Sequence, residues 1–287
     1  MSFRIITDTG CDISPELLSE WGTSAISLSF RFTDEDKDYT EADMPITEFY
    51  DQMRRGRVAK TAAVNIESFK TAFRPVLEAG EDLLYIGFSS GLSSTYNSGR
   101  MAADELSREF PERKIYTVDS LCASAGQGLL VYLATEKQRS GADIDETYEY
   151  TKEMAPKVSH RFTVDDLVYL KRGGRVSGAA AFFGNLLGIK PVLHVDNEGK
   201  LIPINKVRGR RTSLLDIVKA YGETAVDTSK GPVFISNADC MADVEFVVSE
   251  LKSQYGVDVD VITNVGAVIG AHSGPGTFAL FFIAKER

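Results

Sequence analysis

Hydroxyl groups crowd one short stretch of this chain, Ser89-Ser90-Gly91-Leu92-Ser93-Ser94-Thr95. It follows an apolar run, residues 83–86, and precedes a helical pattern. A serine- and glycine-rich turn between a strand and a helix start gathers free backbone N–H groups, hydroxyls and the positive end of a helix dipole. Together these suit a phosphate or a carboxylate; helix capping alone would also account for the serines. Three further places carry matching chemistry. Thr61, in Lys60-Thr61-Ala62-Ala63, offers a hydroxyl from what reads as a loop before a capped helix. His272 stands in Gly270-Ala271-His272-Ser273-Gly274-Pro275-Gly276, where three glycines and a proline restrict the backbone. It either serves an anion, by a hydrogen bond or a positive charge, or faces water in a turn. Arg175 follows Gly173-Gly174, a setting that suits bidentate recognition of a phosphate or carboxylate, or a plain solvated basic turn. Lys206, Arg208, Arg210 and Arg211 form a second basic run, a docking face for an acidic partner or solvated surface.

These residues must be held by elements that the hydrophobic pattern outlines. Residues 3–7 form a short β-rich run ending in the polar turn Asp8-Thr9-Gly10-Cys11-Asp12, and Ser14-Pro15 starts a helix with a cap and a first-turn proline. Strand character returns over residues 25–32, the spacing of a βαβ unit. Helices follow over residues 45–55 and from a cap at Asn65 to Gly80. After the strand at 83–86 come a helix to about residue 110, a strand at 115–118, helix signals over 121–138, and a capping-box start at Asp143 with Glu146. Alternation of this kind predicts a mostly parallel sheet with helices on both faces. Ligands of such sheets bind beyond the carboxyl ends of the strands. Asp8, residues 89–93 and Asp119 all follow strand ends and so should share one edge.

The pattern changes after Pro156. Strand at 158–164, a short helix at 166–171, a hairpin around Asp196-Asn197-Glu198-Gly199, helices at 214–221 and 244–255, and strands at 233–237, 257–261 and 277–283 predict an α+β unit with antiparallel content. The expected division is residues 1–156 and 157–287. Residues 178–188, almost uncharged, read as a core helix or as a mobile cover over an apolar cavity that also touches a membrane surface.

Bulk composition narrows the function classes. The chain has 287 residues and a net charge of −9, so no global positive field steers it toward nucleic acid. Its three cysteines, Cys11, Cys122 and Cys240, form neither a disulfide framework nor a CxxC pair, which favours a reducing compartment. His160, His194 and His272 have no metal-ligand spacing. The chain opens directly into strand residues with no signal-peptide pattern, and no apolar run reaches membrane-span length. A cytoplasmic location is the expectation.

Taken in order, these segments resemble the DegV family of bacterial fatty-acid-binding proteins over nearly the whole chain. Thr7-Asp8, Lys60-Thr61, the serine stretch through Tyr96, Val118-Asp119-Ser120, Tyr169-Leu170-Lys171-Arg172-Gly173-Gly174-Arg175, Ile189-Lys190-Pro191, Lys206-Val207-Arg208-Gly209 and His272-Ser273-Gly274-Pro275-Gly276 carry the likeness. The resemblance implies a DegV-like fold: an N-terminal, mostly parallel α/β/α sandwich domain plus a C-terminal α+β domain with a mixed or antiparallel sheet. It implies an apolar pocket for one long-chain fatty acid, with no cofactor. The carboxylate would be held at Thr61 and Ser93, with Ser94 and His272 beside them. It further implies a separate, ATP-dependent kinase resembling dihydroxyacetone kinase, which makes an acyl-phosphate for phospholipid synthesis. Arg175 and Arg208 would then face the kinase or phosphate. The chain departs from the family's usual residues at Gly10, Ala62, Ala63, Val64 and Ser94, positions that bear on carboxylate geometry and chain-length preference.

Two rival readings use the same residues. Ser93 as nucleophile with His272 as base would make an acyl ester hydrolase, although the serine lies in no GxSxG elbow. A small phosphorylated-metabolite binder would use the same helix start, without a glycine-lysine phosphate loop.

Overall fold

The computed structural model describes residues 2–176 and 188–287; the sequence reading of 178–187 lies outside the described residues. The chain opens with β1 (Phe3–Asp8), α1 (Pro15–Trp21) and β2 (Ser24–Ile26), a parallel βαβ unit in which Ile6 pairs with Ser24. Ser14 caps α1 by accepting the Leu17 N–H. A hairpin-like pair follows, β3 (Ser29–Phe32) and β4 (Ala59–Ala62), with α2 (Ile46–Arg54) between them. Thr61 is therefore a strand residue opposite Phe30, where the sequence reads as loop. The short run Ala59–Ala62 has too little side-chain pattern of its own, and the aromatic strand β3 dictates its extension.

Next come α3 (Ile66–Glu78), β5 (Asp82–Gly87), α4 (Thr95–Glu109), β6 (Ile115–Asp119), α5 (Ala125–Arg139) and α6 (Ile144–Met154). Asn65 caps α3 at 2.9 Å from the Ser68 nitrogen, and Asp143 with Glu146 closes a capping box on α6. Strands β2-β1-β5-β6 form one parallel sheet, with β5 buried along its length. Phe69, Phe73 and Leu77 of α3 and Ala102 and Leu106 of α4 cover one face; α5 lies on the other. The carboxyl ends of β1, β5 and β6 bring Asp8, the serine turn and Asp119 to one edge, as the alternation predicts.

The rest of the chain builds a six-stranded mixed sheet from β7 (Val158–Thr163), β8 (Ile189–Val195), β9 (Leu201–Arg208), β10 (Val233–Asn237), β11 (Val261–Asn264) and β12 (Phe278–Ile283), in the order β11-β10-β12-β7-β8-β9. Only the β10–β11 pairing in it is parallel. Helices α8 (Arg210–Thr224) and α9 (Met241–Tyr255) bury one face of this sheet. Its other face meets α5, which is thus packed between the two sheets. That position explains why α5 is buried on every side over residues 125–131. At Gly126 the helix backbone runs against the His160 ring, and no Cβ would fit. Two short helices complete the fold, α7 (Val168–Gly173) and α10 (Ala267–Ser273). The latter corrects the sequence reading of residues 270–273 as a turn, because His272 sits in the last helical turn. Val257 and Val259, read as strand, precede β11, and between them and β11 the Asp260 carboxylate accepts the Val233 N–H at 2.7 Å.

The two halves interlock around α10. Phe30, Phe32, Phe49 and Tyr50 pack against Ala238, Val265, Ala267 and Ala271, and the Tyr50 hydroxyl donates to the Val265 carbonyl at 2.6 Å. Asp12 and Glu41 meet beside Gly266 and Ala267 at the start of this helix. Asp12 Oδ1 and Glu41 Oε1 are buried and have no hydrogen-bond partner among the described residues. Burial raises both carboxyls, Glu41 to about 7 and Asp12 well above its usual range, with Glu41 adding to the rise at Asp12.

A carboxyl raised in the folded state stabilises below its unfolded pKa, and that stability is lost as pH climbs through the folded value. Glu41→Gln should therefore be more stable than the parent by on the order of 1–3 kcal/mol at pH 8 and by less at pH 5, seen as a larger rise in melting temperature at the alkaline pH. A pH-independent difference in thermal melts would contradict this. At Gly10, an added Cβ would lie 2.8 Å from Phe88 Cδ2 and 2.9 Å from Asp8 Oδ1. Gly10→Ser should cost about 1–3 kcal/mol in chemical denaturation.

Candidate functional site

A cavity of about 240 Å³ opens between the two sheets. Five of the six site residues read from the sequence line it: Thr61 from β4, Ser93 and Ser94 from the turn before α4, His272 from α10, and Arg175 after α7. Arg208, at the end of β9, is exposed and does not line this cavity.

The serine turn divides its hydroxyls between structure and cavity. Ser89 is buried and donates to the Gly199 carbonyl at 2.8 Å, pinning the turn to the β8–β9 hairpin. Its own carbonyl accepts the N–H groups of Leu92 and Ser93 at 3.0 and 3.1 Å. Ser90 donates its N–H to Asp119. Ser93 Oγ accepts the Thr95 N–H at 3.2 Å and shares a 2.9 Å hydrogen bond with Thr95 Oγ1. Ser94 occupies the cap position of α4 yet makes no capping bond, leaving its hydroxyl free at the rim.

Across the opening, Thr61 Oγ1 lies 2.8 Å from His272 Nε2. Burial lowers the His272 pKa to about 4, and the Arg175 charge adds to the shift, so the imidazole is neutral at pH 7. A neutral ring protonated at Nε2 donates to Thr61 and leaves the threonine proton free to point into the cavity. His272 Nδ1 is buried against Gly173 and has no partner among the described residues. Arg175 commits one N–H to the Gly173 carbonyl at 2.5 Å and one to the Leu92 carbonyl at 3.4 Å; its guanidinium has more donors than these.

Beyond this rim the walls are largely apolar, among them Leu28, Phe88, Phe162, Leu170, Val268 and Phe281. None of them stands out in the sequence, because residues that line such a cavity share the composition and periodicity of core. His160 also lines the wall but is a structural histidine. Its Nε2 accepts the Ala123 N–H and its Nδ1 donates to the Val158 carbonyl, both at 3.1 Å, and burial holds its pKa well below the usual range.

The arrangement suits an amphipathic anion, with its charged head among hydroxyls and an arginine and its tail in the cavity. It does not form a serine nucleophile pair: His272 Nε2 is hydrogen-bonded to Thr61 and not to Ser93. No group of three or more metal-ligating side chains occurs among the described residues. No described helix is long and apolar enough to cross a membrane.

Similar proteins share the whole chain. A DegV domain-containing protein of Clostridium perfringens is 36% identical over 286 residues, covering 99% of this chain and 98% of its own. The crystal structure of a DegV lipid-binding protein from Thermotoga maritima superposes with a TM-score of 0.87 at 31% identity, over 100% of both chains. A stearic-acid-binding protein from Eubacterium ventriosum superposes with a TM-score of 0.89 at 25% identity, over 99% of this chain and 98% of its own. The family profile described as "Uncharacterised protein, DegV family" matches residues 2–285, and the chain belongs to the DegV family.

Proposed function

We propose that this protein binds one long-chain fatty acid and presents its carboxylate to a separate ATP-dependent fatty acid kinase resembling dihydroxyacetone kinase, supplying acyl-phosphate for phospholipid synthesis. The observation that carries the reading is the Thr61–His272 pair standing with Ser93 at the head of an apolar cavity. The lipid and stearic acid named for the Thermotoga and Eubacterium proteins support the ligand class.

Burying a tail of ~15 methylenes contributes a gross driving force of about 12 kcal/mol before ordering costs. The carboxylate must still be paired, since an uncompensated buried charge is costly. Thr61 donates to it while accepting the His272 Nε2–H, Ser93 and Ser94 offer hydroxyls, and the positive end of the α4 dipole lies behind the serine turn. Arg175, at the rim, meets the kinase or the incoming phosphoryl group. Arg208, away from the cavity, belongs to the partner-facing surface in this reading. Phosphoryl transfer is the kinase's chemistry; this chain binds and presents. We take residues 1–156 and 157–287 as its two domains, and read it as a cytoplasmic carrier with transient contact at the membrane surface.

An organic extract of the purified protein, analysed by mass spectrometry, should yield one long-chain fatty acid per chain. Protein free of lipid that takes up none on addition would overturn the reading. Thr61→Ala and Ser93→Ala should each weaken fatty-acid binding about 5- to 20-fold in a titration, the loss of one or two hydrogen bonds to a charged group. With a fatty acid kinase added, Arg175→Ala should slow acyl-phosphate formation by a larger factor than it weakens lipid binding. Equal losses would remove its partner-facing role.

A further inference from the structure

The inner part of the cavity carries hydroxyl groups that a carboxylate at the rim does not use. Ser236 lies on β10 with its side chain on the face that Phe234 shares, where strand alternation calls for an apolar residue against α5. It is wholly buried and lines the cavity. Its Oγ is 2.9 Å from Ser124 Oγ, and Ser124 is hydrogen-bonded in turn to the Asp12 carboxyl. Ser124 also lines the cavity and holds a left-handed φ of 55°, a strained conformation for a residue with a side chain. A third hydroxyl, Ser273 Oγ on α10, is buried at the same cavity without any partner among the described residues.

The direction of the chain Asp12–Ser124–Ser236 depends on where its protons sit. With Asp12 ionised, Ser236 donates to Ser124 and Ser124 to Asp12, which leaves Ser236 an acceptor toward the cavity. With Asp12 protonated on the oxygen that faces Ser124, the order reverses and Ser236 keeps its proton to donate. A plain hydrocarbon tail answers neither state, and a ketone answers only the second. An alcohol, being both donor and acceptor, answers both.

We propose that the inner wall of the cavity selects an acyl chain bearing a hydroxyl group, recognised by Ser236 backed by Ser124 and Asp12. The inference deepens the fatty-acid reading above and rests on it. Delipidated protein titrated with stearic acid and with the positional series of monohydroxystearic acids tests it. One positional isomer should bind the parent protein about 3- to 10-fold tighter than stearic acid, the effect of one hydrogen bond. That ratio should fall to about one in Ser236→Ala and persist in Ser236→Thr. If stearic acid binds the parent protein as tightly as every isomer, or if the preference survives in Ser236→Ala, the hydroxyl selectivity is wrong while the fatty-acid reading stands. The comparison within the parent protein decides this even where a variant folds poorly. If neither stearic acid nor any isomer binds, both readings fall together.

Discussion

The buried carboxylate of Asp8 is the constraint on which the rest of the site depends. It accepts from the Tyr85 hydroxyl at 2.7 Å, the Phe88 N–H at 2.9 Å, the Gly10 N–H at 3.1 Å and the Gln127 amide at 3.2 Å. Burial pushes its pKa up, and these donors pull it back. A buried charge in this position is tolerated only while its donors stay in place, because removing them leaves it uncompensated. The donors come from the turn after β1, β5, the turn after β5 and α5. Thr7 reinforces the joint by donating to the Ile86 carbonyl at 2.8 Å and receiving the Gln127 amide. The direction in which the serine turn leaves β5 is thereby determined, and with it the place of Ser93.

The second requirement is a space for the ligand, and α5 creates it. The helix is packed between two sheets, and its glycine-rich start lets the segment after β1 and strand β7 approach closely through Ile13 and His160. The cavity opens beside that start, where Ala123 and Ser124 line it together with residues of β7, β10, β12 and α10. The pair at its rim draws Thr61 from one half of the chain and His272 from the other, so neither half alone builds it. The aromatic cluster of β3 and α2 on α10 keeps that pair in register, together with the Tyr50 bond to Val265.

Neutrality is a shared device. His272, His160 and the Asp12–Glu41 pair all have pKa values displaced toward the uncharged form by burial around the cavity. The cavity wall thus carries few fixed charges, while Arg175 stays at the exposed rim.

Local pattern determined much of this protein. Period-two and period-3.6 apolar spacing, the caps at Ser14, Asn65 and Asp143, and the turn at 196–199 were enough to read the strands, the helices and the change from parallel to antiparallel pairing, because each depends on neighbours a few residues away. The hydroxyl-rich turn and its place at a strand end were equally legible. Tertiary structure alone decided that Thr61 is a strand residue facing a helical His272, 211 positions along the chain. It also decided which serines face the cavity, that Arg208 does not, and which of many apolar residues line the cavity rather than fill the core. Those outcomes follow from packing between distant segments and from burial, which shifts a pKa or orphans a hydroxyl only once the surrounding elements have closed around it.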